Sequence, residues 1–526
     1  MSHGLGVLFR LSTHSWEQLI KLSALNLTAA EVDELAKTRK IIPIVISIPL
    51  NGLNPLNIYS ELAGGRSGTF LLESAQQGVW SRYSFVGIRS RGTITMSKEH
   101  SIQWHSEANK SPLPGANQTL PNDPFAALST IQSAWNTEPI SNLPMLTSGL
   151  VGVLSWDLIR SIEKLPKAPV KDFPVPTVAM SMIEDLAIID HKLQQLLLVS
   201  NIYVDDELII DEAYATALRK LETMERNLTA IETTPLRAFN TSSELEYVPR
   251  TEKQAFLDSV FKAKEYVRKG DVFQVVVSQR FDATCEAEAI NVYRALRQIN
   301  PSPYMYLLHF EDSDGPFAVV GSSPEALVTV VGEDAVTHPI AGSRPRGVTD
   351  SEDENRANEL IADTKEKAEH LMLVDLARND LSKVCQPATV EVTEFMEIHR
   401  FSHIMHLVST VSGKLRSGVT PVDVFKATFP AGTLSGAPKP RALEIIEEVE
   451  TSNRGIFGGV VGYFDFSGNA DLAIAIRTAL IRGNVAHVQA GAGIVLDSDP
   501  ESEYLETISK ASAPLRAISM ANSVRK

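Results

Sequence analysis

The sequence predicts an α+β protein, because segments with the patterns of strands and of helices follow one another without the regular alternation of a doubly wound sheet. The chain has 526 residues, of which 44% are apolar, and this is enough to bury a large core in two parts. The most apolar run, residues 41–50 (IIPIVISIPL), is about half as long as a membrane span and contains two prolines. We therefore expect a buried strand there and no membrane anchor.

The first part of the chain is predicted to mix short strands with a few helices. Residues 70–73 and 83–88 have the composition of strands on either side of a Gln-Gln-Gly turn. Residues 226–250 lack periodicity, which is typical of a connector. We accordingly divide the chain into an N-terminal part, residues 1–240, and a C-terminal part, residues 241–526.

The C-terminal part opens with a well-marked helix. Residues 251–254 (TEKQ) match a capping box, and apolar residues then recur at helical spacing from Phe256 to Val267. Residues 272–281 (VFQVVVSQRF) are dense in β-branched side chains and predict a strand directly after this helix.

Two more helices are predicted further along the chain. One long helix is expected over residues 352–381. Another is expected to begin at Asp499, with the aspartate as N-cap and Pro500 in the first turn.

The charge and the cysteine content exclude several classes of protein. The chain has 49 Lys and Arg against 64 Asp and Glu, a formal net charge of −15, whereas duplex-binding proteins need clustered cations. The two cysteines, Cys285 and Cys385, cannot form a disulfide framework and lack zinc-finger spacing. The first residues show no basic leader and no cleavage site. We expect a cytoplasmic protein with no nucleic acid partner.

The sequence lacks the common nucleotide-binding and serine-nucleophile motifs. It has no P-loop and no G-x-S-x-G elbow, and Leu496 stands where a dinucleotide fingerprint needs glycine after Gly491 and Gly493. These two glycines would instead allow backbone N–H groups to approach an anion, although an ordinary turn explains them equally well.

Three histidines, His399, His403 and His406, raise the question of a zinc site. Residues 403–413 have the pattern of a strand, on which His403 and His406 point to opposite faces, and the sequence contains no H-E-x-x-H. Zinc is therefore disfavoured. A neutral His406 beside a substrate can serve as a general base near pH 7, and a satisfied core histidine is the alternative.

Two pairs of glutamates lie on two of the predicted helices. Glu366 and Glu369 are three residues apart on one helix, as are Glu503 and Glu506 on the other, with Lys510 one turn later. Such pairs can supply oxygen ligands to Mg²⁺ and leave coordination positions for a substrate carboxylate. Solvated helix faces are the alternative, and the apolar neighbours of these glutamates weaken it.

Several long strings of the sequence together carry a family resemblance. In chain order they are GDVFQVVVSQRF, NPSPYMYLL, GSSPEALV, PIAGSRPRG, KEKAEHLMLVDLARNDL, FSHIMHLVSTVSG, FPAGTLSGAPKPRALEIIEEVE, RGIFGGVVGYF, DLAIAIRTALI and GAGIVLDSDPESEYLETISKA. On these strings the chain resembles the chorismate-utilising enzymes, and most closely the large subunits (component I) of anthranilate synthases. The resemblance covers residues 250–515 almost continuously, and a weaker one runs through NPLNIYSEL and GTFLLESAQQGVWSRYSFVG.

The resemblance implies a fold and a reaction. The fold has two layered antiparallel sheets flanked by helices, with the active site in a cleft. In the Mg²⁺-dependent reaction, ammonia adds at C2 of chorismate, the C4 hydroxyl leaves, and loss of pyruvate yields anthranilate, the first committed step of tryptophan biosynthesis. Neither cysteine lies in a Gly-flanked nucleophile turn. We therefore expect ammonia from a separate glutamine amidotransferase subunit, in a hetero-oligomer.

The resemblance also implies the residues of the site. Glu325, in S-P-E-x-[LV], would protonate the departing hydroxide, and His406 would remove the C2 proton. Gln274 and Thr433 complete the implied catalytic set. The residues implied to bind the substrate are Gly342, Ser343, Phe457, Ile476, Arg477, Gly491, Ala492, Gly493 and Lys510, and those implied to hold Mg²⁺ are Glu366, Glu369, Glu503 and Glu506.

Two positions bear on the branch of the family, and two others depart from its usual pattern. Gln274 replaces the Lys that activates water in isochorismate-forming relatives, and Ala341 stands where aminodeoxychorismate synthases generally have Lys; both favour anthranilate formation. Ser343 replaces the usual Thr and keeps its hydroxyl. Phe457 replaces a Tyr expected to contact the pyruvyl carboxylate. Because phenylalanine lacks the tyrosine hydroxyl, we expect chorismate to bind more weakly, by about 1.5–3 kcal/mol, unless a water molecule replaces that hydroxyl.

A feedback site for tryptophan is implied where the LLES and PYM strings meet. An apolar slot with a carboxylate for the ammonium group suits an indole amino acid, and a strand packed on a loop is the alternative. The implied residues are Leu72, Glu73, Ser74, Pro303, Tyr304 and Met305. For the chain as a whole, two alternatives stay open. One is an aminodeoxychorismate or aminodeoxyisochorismate synthase, and the other is a catalytically silent, tryptophan-binding regulatory subunit.

Overall fold

The structure is a computed structural model. It describes residues 25–74, 82–96, 101–107, 109–115, 118–205, 208–230, 238–240, 245–400 and 404–524.

Antiparallel strands form the centre of the molecule. Their bounds are β1 Ile41–Pro49, β2 Phe70–Glu73, β3 Tyr83–Met96, β4 Ile102–His105, β5 Gly149–Leu154, β6 Val178–Asp190, β7 Gln195–Tyr203, β8 Val248–Pro249, β9 Gln274–Thr284, β10 Tyr304–Asp312, β11 Gly315–Ser323, β12 Ala326–Val331, β13 Asp334–Thr337, β14 Ile340–Pro345, β15 Glu391–Arg400, β16 Ile404–Lys414, β17 Gly436–Ala437, β18 Val460–Asp465, β19 Ala470–Ile474, β20 Thr478–Arg482 and β21 Val485–Ile494.

Helices cover the outside of the strands. Their bounds are α1 Ala29–Ala36, α2 Pro55–Ile58, α3 Pro124–Ala134, α4 Ile210–Thr229, α5 Lys253–Lys269, α6 Ala289–Ile299, α7 Asp350–Ala362, α8 Thr364–Ser382, α9 Pro421–Thr428, α10 Lys439–Val449 and α11 Pro500–Asn522, with a π-helical turn at Tyr59–Ala63 and a 3₁₀ turn at Trp156–Ser161. None of the helices within the described ranges is long and apolar enough to cross a bilayer.

The strands of the described residues join into one hydrogen-bonded network in which all strand pairings are antiparallel. From β9 the network runs through β21, β20, β11, β10, β2 and β3 to β6. At β6 it divides: β7 and β1 continue on one side, and β5, β18, β19, β12, β13 and β16 on the other. The two layered sheets that the family resemblance implies are thus joined by hydrogen bonds into one network.

Apolar side chains fill the space between the layers and beneath the helices. One buried cluster joins β6 and β7 to β10 and β11, for example through Ile188, Val199, Leu308 and Val319. Two larger clusters lie between the strands and the helices, one including α4, α6 and α11 and the other α3, α5, α9 and α10. Helices packed on antiparallel strands confirm the predicted α+β class.

Several local predictions are confirmed. The apolar run at residues 41–50 is the buried strand β1, and residues 70–73 are β2. Asp499 caps α11 by accepting a hydrogen bond from the backbone of Ser502, and Pro500 follows in the first turn.

Two predictions about helices were wrong. The long helix expected over residues 352–381 is two helices, because Asp363 ends α7 and its carboxylate caps α8 through the backbone N–H groups of Lys365 and Glu366. The capping box at residues 251–254 does not form, since α5 begins after Glu252 with no side-chain cap.

The predicted connector is only partly described. The first residues of the predicted connector, 226–229, belong to helix α4, which extends to Thr229. Residues 231–237 and 241–244 lie outside the described residues. Strands from either side of residue 240 pair with each other, β2 with β10 and β5 with β18. The division into a regulatory and a catalytic part stays a prediction about function.

Candidate active site

Glu325 lies in the short link between β11 and β12, where its carboxyl group faces a small cavity also lined by Thr433 and Ile474. The hydroxyl of Thr433 donates a hydrogen bond of 2.8 Å to Oε1 of Glu325. The backbone is held by Ile474, whose N–H donates to the Glu325 carbonyl at 2.9 Å. Burial raises the pKa of Glu325 to about 7, against the opposing effects of the Thr433 hydrogen bond and the nearby Lys510. This carboxyl group can therefore hold a proton near neutral pH.

His406 lies on β16, directly opposite Ser343 on β14. Its Nδ1 is 3.1 Å from the carbonyl oxygen of Gly342, and because a carbonyl only accepts, Nδ1 is the donor in this bond. Burial lowers the pKa of His406, the hydrogen bond to Gly342 opposes this, and the positive charge of Arg477 lowers the pKa further. The imidazole is therefore neutral at pH 7, with its lone pair on Nε2, as a general base requires.

Gly342 brings β14 close to helix α8. Its backbone has φ +66°, and a Cβ at this position would lie 3.0 Å from Oε2 of Glu366. A side chain here would strain the backbone and crowd Glu366, so glycine allows the strand carrying Ser343 to approach the acidic helix.

Arg477 follows the end of β19 and has φ +51°, which is unusual for a residue with a side chain. Burial lowers the pKa of its guanidinium group. Among the residues that the structure describes, the guanidinium has no hydrogen-bond or ion-pair partner, although its charge acts on His406. A partly buried cation with no counter-ion in the described part of the chain is suited to an anionic ligand.

Lys510, on α11, connects several other predicted residues. Its ammonium donates to the carbonyl of Gly491 at 3.0 Å and lies 2.6 Å from Oε1 of Glu506, and its charge acts on Glu325. Gly491, Ala492 and Gly493 lie on β21, which pairs with β9.

Gly493 is in close contact with Gln274. A Cβ at Gly493 would lie 2.3 Å from Nε2 of Gln274, so a side chain there would displace the glutamine. The predicted residues on β9, β14, β16 and β21 and on the two acidic helices thus lie around one cleft.

The four glutamates lie near one another, because the charge of Glu366 raises the pKa of Glu369 and that of Glu506 raises the pKa of Glu503. Glu369 on α8 and Glu503 on α11 are close enough for the charge of Glu503 to raise the pKa of Glu369, and burial raises the pKa of both. Glu366 pairs with Arg344 at 3.4 Å, and Glu506 is exposed and pairs with Lys510. No group of three or more His, Cys, Asp or Glu in the described ranges is arranged to hold a metal ion.

Two opposed carboxylates still fit Mg²⁺. This ion commonly takes one or two protein carboxylates and completes its shell with water and substrate oxygens. Glu369 and Glu503 carry the repulsion that a divalent cation would relieve, and Lys365, 4.0 Å from Glu369, offsets it only in part. The pair therefore fits the ion, and ligation by all four glutamates stays a prediction.

The predicted tryptophan residues form two candidate effector segments, residues 72–74 and 303–305. Strands β2 and β10 bring them together, with Glu73 opposite Met305. Glu73 accepts a hydrogen bond of 2.5 Å from the Tyr293 hydroxyl and lies 3.0 Å from the guanidinium of Arg297. The hydroxyl of Ser74 is buried and has no hydrogen-bond partner within the described part of the chain.

Tyr304, in the second segment, donates a hydrogen bond of 3.1 Å to Asp471 on β19. Burial raises the pKa of Asp471 to about 6. Asp471 was not anticipated from the sequence, because nothing local marks it as a partner of a tyrosine 167 residues away.

Ile476 directly precedes Arg477, and Phe457 lies beside Thr478, which directly follows it. The ring of Phe457 lies 5.6 Å from the guanidinium of Arg454 and lines a cavity of about 10 Å³ with Thr478 and Gln489. Of the three histidines considered for zinc, His399 pairs with His406 across β15 and β16, and His403 lies outside the described residues.

Two more residues beside Arg477 were missed. Thr478 hydrogen-bonds to the Ile476 carbonyl, and Tyr306 hydrogen-bonds to Thr478. The only signal in the sequence was their place within the strings that carry the resemblance, DLAIAIRTALI and NPSPYMYLL.

A cleft between antiparallel strands and two acidic helices, lined by a protonatable glutamate, a neutral histidine and an arginine with no counter-ion among the described residues, is typical of an enzyme that acts on a small anion. The model of the chorismate binding enzymes matches residues 68–516, and the chain therefore belongs to this family. The chain is 47% identical to anthranilate synthase component 1 of Arthrobacter globiformis over 94% of this chain and 93% of the relative. It is 45% identical to that of Mycolicibacterium smegmatis, over 93% and 92% respectively.

Solved structures agree with these relatives. The crystal structure of anthranilate synthase component I from Streptococcus pneumoniae is 32% identical, with a TM-score of 0.73 over 89% of this chain and 99% of that one. The menaquinone-specific isochorismate synthase of Escherichia coli shares the fold at 18% identity, with a TM-score of 0.66 over 96% of this chain and 98% of that one. The resemblance stated from the sequence is confirmed.

Proposed function

We propose that this protein is the large subunit of an anthranilate synthase, a lyase that converts chorismate and ammonia to anthranilate, pyruvate and water. The observation that carries the proposal is Glu325, a buried carboxyl group with a pKa raised to about 7 that lines a small cavity with Thr433. Replacement of a ring hydroxyl by ammonia needs such an acid, because hydroxide is a poor leaving group unless it is protonated.

Chorismate is a dianion, and the cleft offers partners for both of its carboxylates. Arg477 and Lys510 supply positive charge from β19–β20 and α11, and Gly491 and Gly493 supply close-approaching backbone. Charge-assisted bonds in a site partly closed to water are strong enough to orient the ring between Glu325 and His406.

The two catalytic groups act in order. Glu325, held by Thr433, gives its proton to the departing C4 hydroxyl while ammonia bonds to C2. In the second step Nε2 of His406 takes the C2 proton as pyruvate leaves, and the ring becomes aromatic. A neutral imidazole with a lowered pKa suits the second task.

Magnesium is part of the proposal. Glu369 and Glu503 would hold the ion, with Glu366 and Glu506 beside them. When bound, it would supply positive charge to the ring carboxylate of chorismate.

Ammonia is proposed to come from a separate glutamine amidotransferase. Relatives named component 1 support a second component. Both cysteines are buried, and burial raises the pKa of the Cys285 thiol to about 11 and also raises that of Cys385, so neither is an activated thiolate for glutamine hydrolysis. Feedback inhibition by tryptophan at the candidate effector segments completes the proposal.

The test is an assay of the purified chain with chorismate, MgCl₂ and an ammonium salt at high pH, where free ammonia is available. We expect fluorescent anthranilate and pyruvate in equal amounts, abolition by EDTA and recovery with added Mg²⁺. An aminated product without pyruvate would replace the proposal by aminodeoxychorismate or aminodeoxyisochorismate synthesis. Tryptophan binding without turnover would replace it by a regulatory subunit.

A further inference from the structure

Arg477 is held in a left-handed backbone conformation, at φ +51°, by hydrogen bonds on both sides. Its own carbonyl accepts a hydrogen bond of 3.3 Å from the N–H of Ser322, on β11. The carbonyl of the preceding residue, Ile476, accepts one of 2.8 Å from the hydroxyl of Thr478. A residue with a side chain adopts this conformation only where its surroundings fix it.

The hydroxyl of Thr478 is itself fixed by Tyr306. The two hydroxyl oxygens are 2.6 Å apart. Thr478 has a single hydroxyl hydrogen, which it gives to the Ile476 carbonyl, so Tyr306 is the donor and Thr478 the acceptor. Both side chains are buried, and the chain Tyr306–Thr478–Ile476 therefore has a single direction and no competition from bulk water.

Glycine at position 321 makes this contact possible. Gly321 lies opposite Tyr306 on one side and Thr478 on the other in the strand register. A Cβ at Gly321 would lie 2.3 Å from the Tyr306 ring and 2.6 Å from the Thr478 hydroxyl oxygen. Because glycine has no side chain, the hydroxyl groups of Tyr306 and Thr478 can approach within hydrogen-bond distance.

We infer that Tyr306 and Thr478 are positioning residues that fix the backbone at Arg477, so that its guanidinium stays oriented toward a carboxylate of the substrate. The inference rests on the proposed function, in which Arg477 binds chorismate. Neither residue touches the substrate; both act through Arg477.

The arrangement also links the cleft to the candidate effector segments. Tyr306 directly follows residues 303–305, and Ser322 lies opposite Met305 in the register of β10 and β11. The strand pair that carries one effector segment is thus the one that holds the Arg477 backbone from both sides.

The test compares Thr478→Val, which keeps the shape and loses the hydroxyl, with Thr478→Ser, which keeps the hydroxyl. We expect Thr478→Val to raise the dissociation constant of chorismate, measured by calorimetry, about tenfold, and to raise KM more than it lowers kcat. Thr478→Ser should stay within about twofold of the wild type. Tyr306→Phe should show about a threefold rise, because Thr478 retains its bond to Ile476.

A double-mutant cycle with Arg477 distinguishes a positioning role of Thr478 from a general loss of structure in its variants. In an Arg477→Ala background, Thr478→Val should change chorismate affinity less than about twofold, because coupled residues are not additive. Additive effects, or equal effects of the Val and Ser variants, would overturn the inference. If Thr478→Val does not fold, Tyr306→Phe is carried through the same cycle.

A readout without substrate distinguishes this inference from the proposed function. Hydrogen exchange of the amides at residues 474–478 should be faster in Thr478→Val than in Thr478→Ser or the wild type. Unchanged exchange would contradict positioning whatever the enzyme makes. Failure of the wild type to bind chorismate, with exchange altered as expected, would contradict the proposed function and leave the role in fixing Arg477 supported.

Discussion

The cleft and the candidate effector segments differ in whether their charged side chains have partners within the protein. In the cleft, Arg477 has no partner among the described residues, and Glu325 has a raised pKa that only the Thr433 hydroxyl and the charge of Lys510 oppose. In the effector segments, Glu73 is bound by both Tyr293 and Arg297. The cleft is ready for a charged ligand, whereas the carboxylate expected to receive an ammonium group is already occupied.

This difference has an energetic meaning. Unpaired buried charges lower the stability of the free protein, and an anionic substrate would recover that free energy on binding. A ligand at the effector segments would instead have to share Glu73 with Arg297 or use groups such as the buried Ser74 hydroxyl. We therefore expect the cleft to be sensitive to single charge changes and the effector segments to be sensitive mainly to changes of shape.

The largest effect is expected from Glu325→Gln. The amide has the same shape but cannot give a proton to the leaving hydroxide, so kcat should fall about 10²–10⁴-fold while chorismate affinity changes much less. Steady-state assays of anthranilate fluorescence measure the first quantity and calorimetry the second. Glu184→Gln is the matched control, a buried glutamate paired with Lys110 and Lys220 away from the cleft. Similar losses of kcat in both variants would contradict the assignment.

At the effector segments, Ser74→Arg is expected to raise the tryptophan concentration that halves activity at least about 30-fold, equivalent to about 2 kcal/mol, by overfilling the slot. Met305→Thr, opposite Glu73, should act in the same direction. Inhibition curves at fixed chorismate measure the effect, and Ser60→Arg, on an exposed side chain, is the control. Inhibition that survives both changes would exclude this location.

The local features of this fold were open to prediction, and the long-range ones were not. The Asp499 cap and strand β1 depend on a few neighbouring residues, so their patterns sufficed. The sequence pattern placed Asp363 inside one long helix. An aspartate within such a pattern ends a helix only where the tertiary structure makes the chain turn, and the sequence does not show that turn. The bond between Tyr306 and Thr478 joins residues 172 positions apart, and no pattern in either segment records it.

The same limit applies to the candidate site. Motif resemblance gathered residues that the fold brings near one another, the four glutamates among them, but it did not specify how their side chains pair. In the structure Glu369 lies near Glu503 and 4.0 Å from Lys365, whereas Glu366 pairs with Arg344 and Glu506 with Lys510. Such side-chain pairs depend on which residues of other helices and strands lie nearby in the fold. The spacing of residues in the sequence does not specify this.

Phe457→Tyr is expected to have a moderate effect on the cleft. A hydroxyl at this position would add a donor toward the substrate carboxylate. However, the cavity beside the Phe457 ring, about 10 Å³, is about the size of one water molecule. A water there can already supply part of the hydrogen bonding that the tyrosine hydroxyl would add. We expect KM for chorismate to fall about three- to tenfold with little change in kcat. An unchanged KM would show that position 457 does not reach the substrate.

The smallest effect, a shift in pH dependence, tests how the cleft sets the Glu325 pKa. Glu325 must be protonated to act as the acid, so kcat/KM should fall as the pH rises through about 7, once rates are divided by the concentration of free ammonia. The Thr433 hydrogen bond stabilises the ionised carboxylate and lowers this pKa. Thr433→Val should therefore move the fall in activity to higher pH, and Thr433→Ser, which keeps the hydroxyl, should leave it near the wild-type position. A shift to lower pH in the valine variant would mean that the hydroxyl stabilises the protonated carboxyl, and that Glu325 is held ready as an acid by Thr433 as well as by burial.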